Sequence, residues 1–307
     1  MQKIAVIGAT GMLGLPVVAQ LVRSGFEVTA LVRDPRRAGA CLPPGTRIVQ
    51  ADVGNVESLK AGLSGQDAVY LNLSIDPSAK KDDFHTEAEG LDNIIAAARC
   101  AGIGRIAYLS AMIEEQNPGR WWGIDIWTQA IARIKASGIA YTIFYATNFM
   151  ETLPQKHVCG QILPLVGTAR HPNYWIAGRD YAQQVAKSFS IAGAANREYF
   201  AQGPEPLTYA EAASRFAGSV ANRLFVVTIP LTVLKWLGTV SRQADFSANI
   251  MEAILEYPEK FRAQMTWNEL GRPTTRVEDF ARQLGTSVFS QAWPLVRASR
   301  GPIIATR

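Results

Sequence analysis

The chain has 307 residues, 48% hydrophobic and 19% charged. That suffices for a sizeable core and excludes a disordered, charge-dominated polymer. The net charge of +5 comes from scattered Lys and Arg with no run longer than a pair, which argues against a nucleic-acid arm and fits a surface that attracts a phosphorylated cofactor.

The first residues, MQKIAVIGATG, carry one Lys and a short apolar run, so they are not a signal peptide. The expected location is cytoplasmic. KIAVI reads as a buried parallel strand, residues 11–26 as a helix closed near Gly25, and EVTALV as a second strand ending in a charged turn at Pro35. A third strand (47–52), a helix (56–66), a fourth strand (67–74), a long helix (82–103), a fifth strand (105–112), a helix (126–138) and a sixth strand (140–149) follow. This alternation predicts an α/β fold, a Rossmann-type doubly wound parallel sheet. Residues 1–150 form the expected NAD(P)-binding domain, with 176–200 packing back on it.

Beyond Met150 the pattern changes. Residues 151–175 read as irregular with a hairpin, and Asp180 as the N-cap of a helix over 179–191. Thr208/Glu211, Thr266/Glu269 and Thr275/Glu278 each have capping-box spacing. Residues 151–175 and 201–290 are therefore expected to form a smaller, mostly helical lobe covering the substrate, and 291–307 a tail. The stretch RLFVVTIPLTVLKWLG is too short to span a bilayer and is interrupted by Pro230 and Lys235. No transmembrane segment is expected, and a peripheral membrane contact there is not the favoured reading. Cys41, Cys100 and Cys159 form no CxxC, and His85, His157 and His171 lack ligand spacing. Reduced thiols and no metal site are expected.

Gly8, Gly11 and Gly14 stand as G-x-x-G-x-x-G between the first strand and first helix. Such a turn lets the backbone approach a diphosphate, and the helix's free N–H groups hold it. The second strand ends LVRDPRR. Arg33, at its tip, suits a 2′-phosphate, whereas Asp34 is the counterargument for a ribose hydroxyl. NADP(H) is favoured over NAD(H). Asp52 closes the third strand, either at an adenine edge or capping its own turn.

The series IGATGMLG, LVRDP and ADVGN resembles the atypical short-chain dehydrogenase/reductase superfamily. HTEAEGLDNIIAAARCAGIGRIAYLSAM and IKASGIAYTIFYATNFME resemble its NmrA-like group. The resemblance implies that Gly8, Thr10, Gly11, Met12, Leu13 and Gly14 hold the diphosphate and Arg33 the 2′-phosphate. It further implies Asp52 and Val53 at the adenine and Leu73 and Ser74 at the ribose. Ser110 and Ala111 then lie near the nicotinamide ribose, with Tyr145, Ala146, Thr147, Asn148 and Phe149 beside the nicotinamide. The superfamily's catalytic Tyr-x-x-x-Lys is missing. Counting back from KASGIAYTI puts those positions near Gly123 and Trp127, and Lys135 lies two turns on.

Trp121, Trp122 and Trp127 fall in this region. They either wall a pocket for a flat apolar substrate or cover the sheet edge. Tyr145, Ser110 and Asp125 are the candidate proton donors; their alternative roles are a buried phenol, a strand-end hydroxyl and a helix cap. His85 is read as a capping or surface residue. The leading expectation is an NADPH-dependent reductase of a quinone-like or aromatic carbonyl small molecule. The alternative is a catalytically silent NADP(H) sensor that signals through a protein partner.

Overall fold

The computed structural model describes residues 2–113, 119–156, 161–169, 171–221 and 223–284. The expected tail, His157 and Cys159 lie outside the described residues.

The apolar run at the N-terminus forms β1 (Lys3–Ile7), buried from Ile4 onward. It is an interior strand of a seven-stranded parallel sheet, between β2 and β4. The other strands are β2 (Glu27–Val32), β3 (Arg47–Gln50), β4 (Ala68–Leu71), β5 (Arg105–Ala111), β6 (Ala140–Ala146) and β9 (Arg197–Ala201), in the order β3-β2-β1-β4-β5-β6-β9. The direction of winding reverses between β1 and β4, which opens a crevice at the C-terminal strand ends where such sheets bind ligands.

Helix α1 (Gly14–Arg23) lies on one face together with α7 (Gly178–Ser190), around Val17, Val18, Leu21, Tyr181 and Val185. Tyr70 and Tyr181 join hydroxyls at 3.0 Å between sheet and helix. Arg105 binds the carbonyls of Ser188 and Phe189 at the end of α7, where a cation complements the helix dipole. The other face carries α3 (Val56–Leu63), α4 (Glu89–Ala101) and α5 (Trp122–Ala136), packed through Leu59, Leu91, Ile94, Ile131 and Ile134. The short α2 (Pro35–Gly39) follows β2.

The remaining elements build a lobe with its own core around Leu153, Trp175, Phe216, Leu255 and Phe280. They are α6 (Thr152–Lys156), β7 (Ile162–Val166), β8 (Asn173–Tyr174), β10 (Pro206–Leu207), α8 (Tyr209–Ser219), β11 (Phe225–Ile229), α9 (Leu231–Gly238), α10 (Arg242–Glu256) and α12 (Val277–Gln283), whereas α11 (Gln264–Leu270) packs on α7 and β9 through Met265 and Leu270.

Several local expectations are corrected. The long helix starts only at Glu89. Upstream, Asp76 binds Ser78, Asp83 accepts from Lys80 N–H, and Glu89 accepts from His85 N–H. Side-chain acceptors of this kind compete with helical backbone bonds. Helix α5 begins four residues earlier than expected, with Trp121 extended at its N-cap. Among the described residues of 151–175 the two strands do not form a hairpin, because β7 pairs in parallel with β11 and β8 antiparallel with β10. Asp180 lies inside α7, whose N-cap is Ala177; its carboxylate accepts from Thr274 and Thr275 N–H at 2.9 and 2.8 Å. Thr208/Glu211 is a true capping box. Thr266 instead accepts from Phe200 N–H, and Thr275 from Arg179. Both are drawn into tertiary contacts rather than helix caps.

Candidate functional site

The turn between β1 and α1 has no room for a side chain at Gly8 or Gly14. Gly8 has φ +81°, and a Cβ there would lie 2.0 Å from the Asn72 carbonyl oxygen. A Cβ on Gly14 would lie 2.0 Å from Gly8 O, and one on Gly11 would be 3.2 Å from Asn72 Nδ2. Asn72 continues β4 across the winding reversal: its N–H bonds Ile7 O at 3.0 Å. The N–H groups of Thr10, Met12, Leu13 and Gly14 have no acceptor among the described residues, whereas Gly11 N–H bonds Gly8 O. Unpaired donors at the start of a helix form a cradle for an anion. A dinucleotide diphosphate fits this turn. The reading of the sequence missed Asn72; its only signal is its place directly after the fourth strand.

Arg33 is exposed at the end of β2 and has no ion-pair partner among the described residues. Asp34 is occupied otherwise, since its Oδ1 accepts from Arg37 N–H at 3.1 Å and caps α2. Asp52 accepts from Gly54 N–H at 2.8 Å, the turn-capping role. Val53 O receives the Asn93 amide at 2.9 Å. Leu73 and Ser74 follow β4, and Ser74 O receives the Thr86 hydroxyl at 2.8 Å.

Ser110, buried at the end of β5, pairs in register with Tyr145 on β6, and Ala111 with Ala146. The Tyr145 hydroxyl donates to Glu198 Oε2 at 2.6 Å, and Lys135 Nζ lies 2.8 Å from Glu198 Oε1. The Tyr145 ring stacks on Phe200 at 5.1 Å. This phenol is thus committed to a carboxylate on β9. Hydrogen bonds to Lys135 and Tyr145 hold the Glu198 carboxyl below the usual range, although burial pushes the other way. Thr147 donates to Glu259 Oε2 at 2.6 Å, and Asn148 Oδ1 accepts from Tyr209 at 3.0 Å. Phe149 bridges to Ile176 and packs edge-on against Tyr181. Glu259 also accepts from Asn173, Tyr174 N–H and Gln202. A carboxylate of the lobe therefore ties the loop after β6 in place. Burial outweighs these bonds and raises its pKa.

The three tryptophans are brought together. The Trp121 ring meets Trp122 at 5.4 Å, Trp127 at 6.2 Å and Phe246 of α10 at 5.1 Å. A Cβ on Gly123 would lie 2.4 Å from the Trp121 ring, so only glycine allows this fold-over. Asp125 accepts from Gly119 N–H at 2.7 Å and closes the turn before α5. Arg120 reaches α10 through ion pairs with Glu252 (3.1 Å) and Glu256.

Beneath the tryptophans lies Glu87, which was not singled out from sequence because it stands in a run of charges. It is 2% exposed and accepts from Tyr108 (3.1 Å) and Trp127 Nε1 (2.8 Å). Burial pushes its carboxyl up to about 7 against both bonds. His85 is not a surface residue: it is 3% exposed, 4.9 Å from Trp122 between ring centroids, with Nε2 near Lys81 O.

The strand ends thus set Asp52/Val53, Arg33 and the glycine turn, after β3, β2 and β1, on one side of the reversal, and Leu73/Ser74, Ser110/Ala111 and the 145–149 loop, after β4, β5 and β6, on the other. The NAD(P)H-binding family matches residues 8–162. Quinone oxidoreductase 2 of Escherichia coli is 28% identical over 217 residues, 69% of this chain and 72% of that protein. NAD(P)H azoreductase of Xenophilus azovorans is 25% identical, covering 91% and 96%. The photosystem II assembly factor Ycf39 of Guillardia theta is 26% identical, covering 82% and 81%. The solved structure of the NADPH-dependent quinone oxidoreductase QOR2 from E. coli, complexed with NADPH, superposes with a TM-score of 0.72 at 24% identity, covering 92% of this chain and 99% of that one.

Proposed function

The chain belongs to the NAD(P)H-binding family, and on that premise we propose that it is an NADPH-dependent oxidoreductase that reduces an apolar, quinone-like or aromatic carbonyl substrate without a Tyr-x-x-x-Lys pair. The observation that carries this reading is the bare glycine turn with its unpaired N–H groups; a separate cluster of tryptophans at the start of α5 adds flat apolar surface. The quinone and azo reductases among its relatives support it.

When bound, the nicotinamide supplies the hydride. The chain's own residues bind and orient. Thr10, Met12, Leu13 and Gly14 offer backbone donors to the diphosphate. Arg33, which makes no close ion pair among the described residues, would meet the 2′-phosphate, while Asp34 is spent on capping α2. Ser110 and the 145–149 loop would border the nicotinamide, and Glu259 steadies that loop through Thr147. The indoles exclude water and present flat apolar walls. The place expected for the superfamily's Tyr is Gly123, and the Trp121 ring lies over it. A quinone takes its proton from water or from a hydroxyl at the strand ends.

The test is calorimetry with NADPH and NADH, followed by NADPH consumption over a panel of quinones and aromatic carbonyls. Tight NADPH binding with turnover on the panel is the expected result. Binding with no turnover anywhere would overturn the catalytic reading. A redox sensor is the second reading, favoured by the packing of Trp121 against Phe246 and by the relationship to an assembly factor. It requires a partner whose affinity differs between the NADP+ and NADPH forms.

A further inference from the structure

A helix covers a sheet only as far as it runs. Alternate residues of a strand share a face, so β2 turns Glu27, Thr29 and Leu31 toward the side that carries α3. Helix α3 passes so close over Leu31 that a Cβ on Gly62 would lie 2.7 Å from its side chain, and the helix ends one residue later at Leu63. Nearer the start of the strand, Glu27 and Thr29 are therefore met by the turn at 64–66 and not by a helix. The register of the neighbouring strands puts Lys3 beside Glu27 and Arg47 beside Thr29 on this same face. Between them is a cavity of about 340 Å³, within the size range of small-molecule sites. It lies at the N-terminal ends of the strands, the opposite end of the sheet from the glycine turn.

The fold leaves the polar groups around this cavity unused. The Lys3 ammonium, the Glu27 carboxylate and the Arg47 guanidinium make no ion pair or hydrogen bond among the described residues, although Lys3 and Glu27 stand side by side. The neighbouring Asp67 carboxylate is engaged, since it accepts from Lys3 N–H at 2.6 Å. The floor is polar and buried: Thr29 is 5% and Gln66 7% exposed. Gln66 Oε1 is buried without a donor among the described residues. A buried acceptor in that state is destabilising until a donor reaches it.

We propose that this cavity is a second small-molecule site and that its ligand is a zwitterion of the α-amino acid type. Arg47 offers a planar fork and Lys3 a point charge to the carboxylate. Glu27 and Gln66 Oε1 accept from the ammonium, and the carbonyl end of α3 adds partial negative charge beside them. A plain anion would be repelled by Glu27 and leave Gln66 Oε1 without a donor. A plain cation would be repelled by Lys3 and Arg47. A ligand carrying both signs meets all four groups. The site is remote from the cofactor crevice and does not rest on the reductase reading.

The test is calorimetry of the full chain with the common L-amino acids, one at a time. Those that bind are then compared with their N-acetyl and methyl ester derivatives, each of which removes one charge. At least one amino acid is expected to bind with one site per chain. Both derivatives of it, and the variants Arg47→Gln and Glu27→Gln, are expected to bind at least about tenfold more weakly. Both positions are exposed, and circular dichroism checks that the variants are folded. Four outcomes would overturn the proposal: no heat with any amino acid; a derivative that binds as tightly as its parent; binding that neither variant weakens; or displacement of the amino acid by NADPH, which would put it in the crevice. Absence of quinone turnover with amino-acid binding intact would count against the reductase reading alone.

Discussion

Gly14 shows how a single hydrogen in place of a methyl decides what the turn after β1 can do. A Cβ there would lie 2.0 Å from Gly8 O. Gly14→Ala is expected to push the turn out of shape, costing about 1–3 kcal/mol in urea unfolding and removing the calorimetric heat with NADPH. Arg33 and Asp34 are adjacent but differently employed, because Asp34 caps α2 and Arg33 is unpaired. Arg33→Ala should therefore raise the Kd for NADPH by about ten- to a hundredfold and leave that for NADH nearly unchanged. Equal loss for both dinucleotides would remove Arg33 from the 2′-phosphate. The glycine turn and the place of Arg33 at the tip of β2 were legible because spacing after a strand is a property of the chain itself. Asn72 and Glu87 were not, because neither belongs to a pattern. Each acquires its role from a neighbour distant in sequence: Asn72 supports Gly8, and Glu87 receives Trp127 Nε1–H.

Among the elements, strands were easier to read than the starts of helices. The parallel strands β1 to β6 follow from apolar runs bounded by turns, and the structure adds β9 to the edge beyond β6. Capping signals misled where tertiary partners competed. Thr266 and Thr275 have the right spacing, but Phe200 N–H and Arg179 claim their hydroxyls. Asp180, expected to cap α7, instead secures the 274–275 segment to it. The segment between α10 and α11 contributes Glu259, which gathers donors from Thr147, Asn173, Tyr174 and Gln202. Glu259→Ala would leave several partly buried donors without an acceptor. A loss of about 3 kcal/mol in denaturant unfolding is expected, together with weaker NADPH binding as the loop holding Thr147 loosens. An unchanged NADPH affinity would show that the clamp serves the lobe alone.

At the scale of the molecule, two buried carboxyls among the described residues have their titration moved toward neutral pH. Burial raises Glu87 to about 7. Burial, aided by nearby Asp180, raises Glu151 to about 7 although Gly178 N–H donates to it. A carboxyl with a raised folded pKa keeps its proton where the unfolded chain, near 4.5, has lost it. The folded state binds more protons in that interval, so stability is greatest at its acidic end and falls as pH rises from about 4.5 to about 7. Each group contributes at most about 3 kcal/mol to this fall. Urea midpoints should decline between pH 5.5 and 7.5, and Glu87→Gln, which keeps an acceptor for Trp127, should flatten the decline. An unaltered slope in that variant would show that Glu87 titrates as an ordinary carboxyl. By itself the sequence determined what depends on near neighbours: the alternating strands and helices, the glycine turn at the mouth of the sheet, the arginine at the tip of the second strand. Only the tertiary structure decided which carboxylates are buried and which hydroxyls they claim. Those properties depend on the environment that distant segments create on closing together, and no local spacing of residues encodes it.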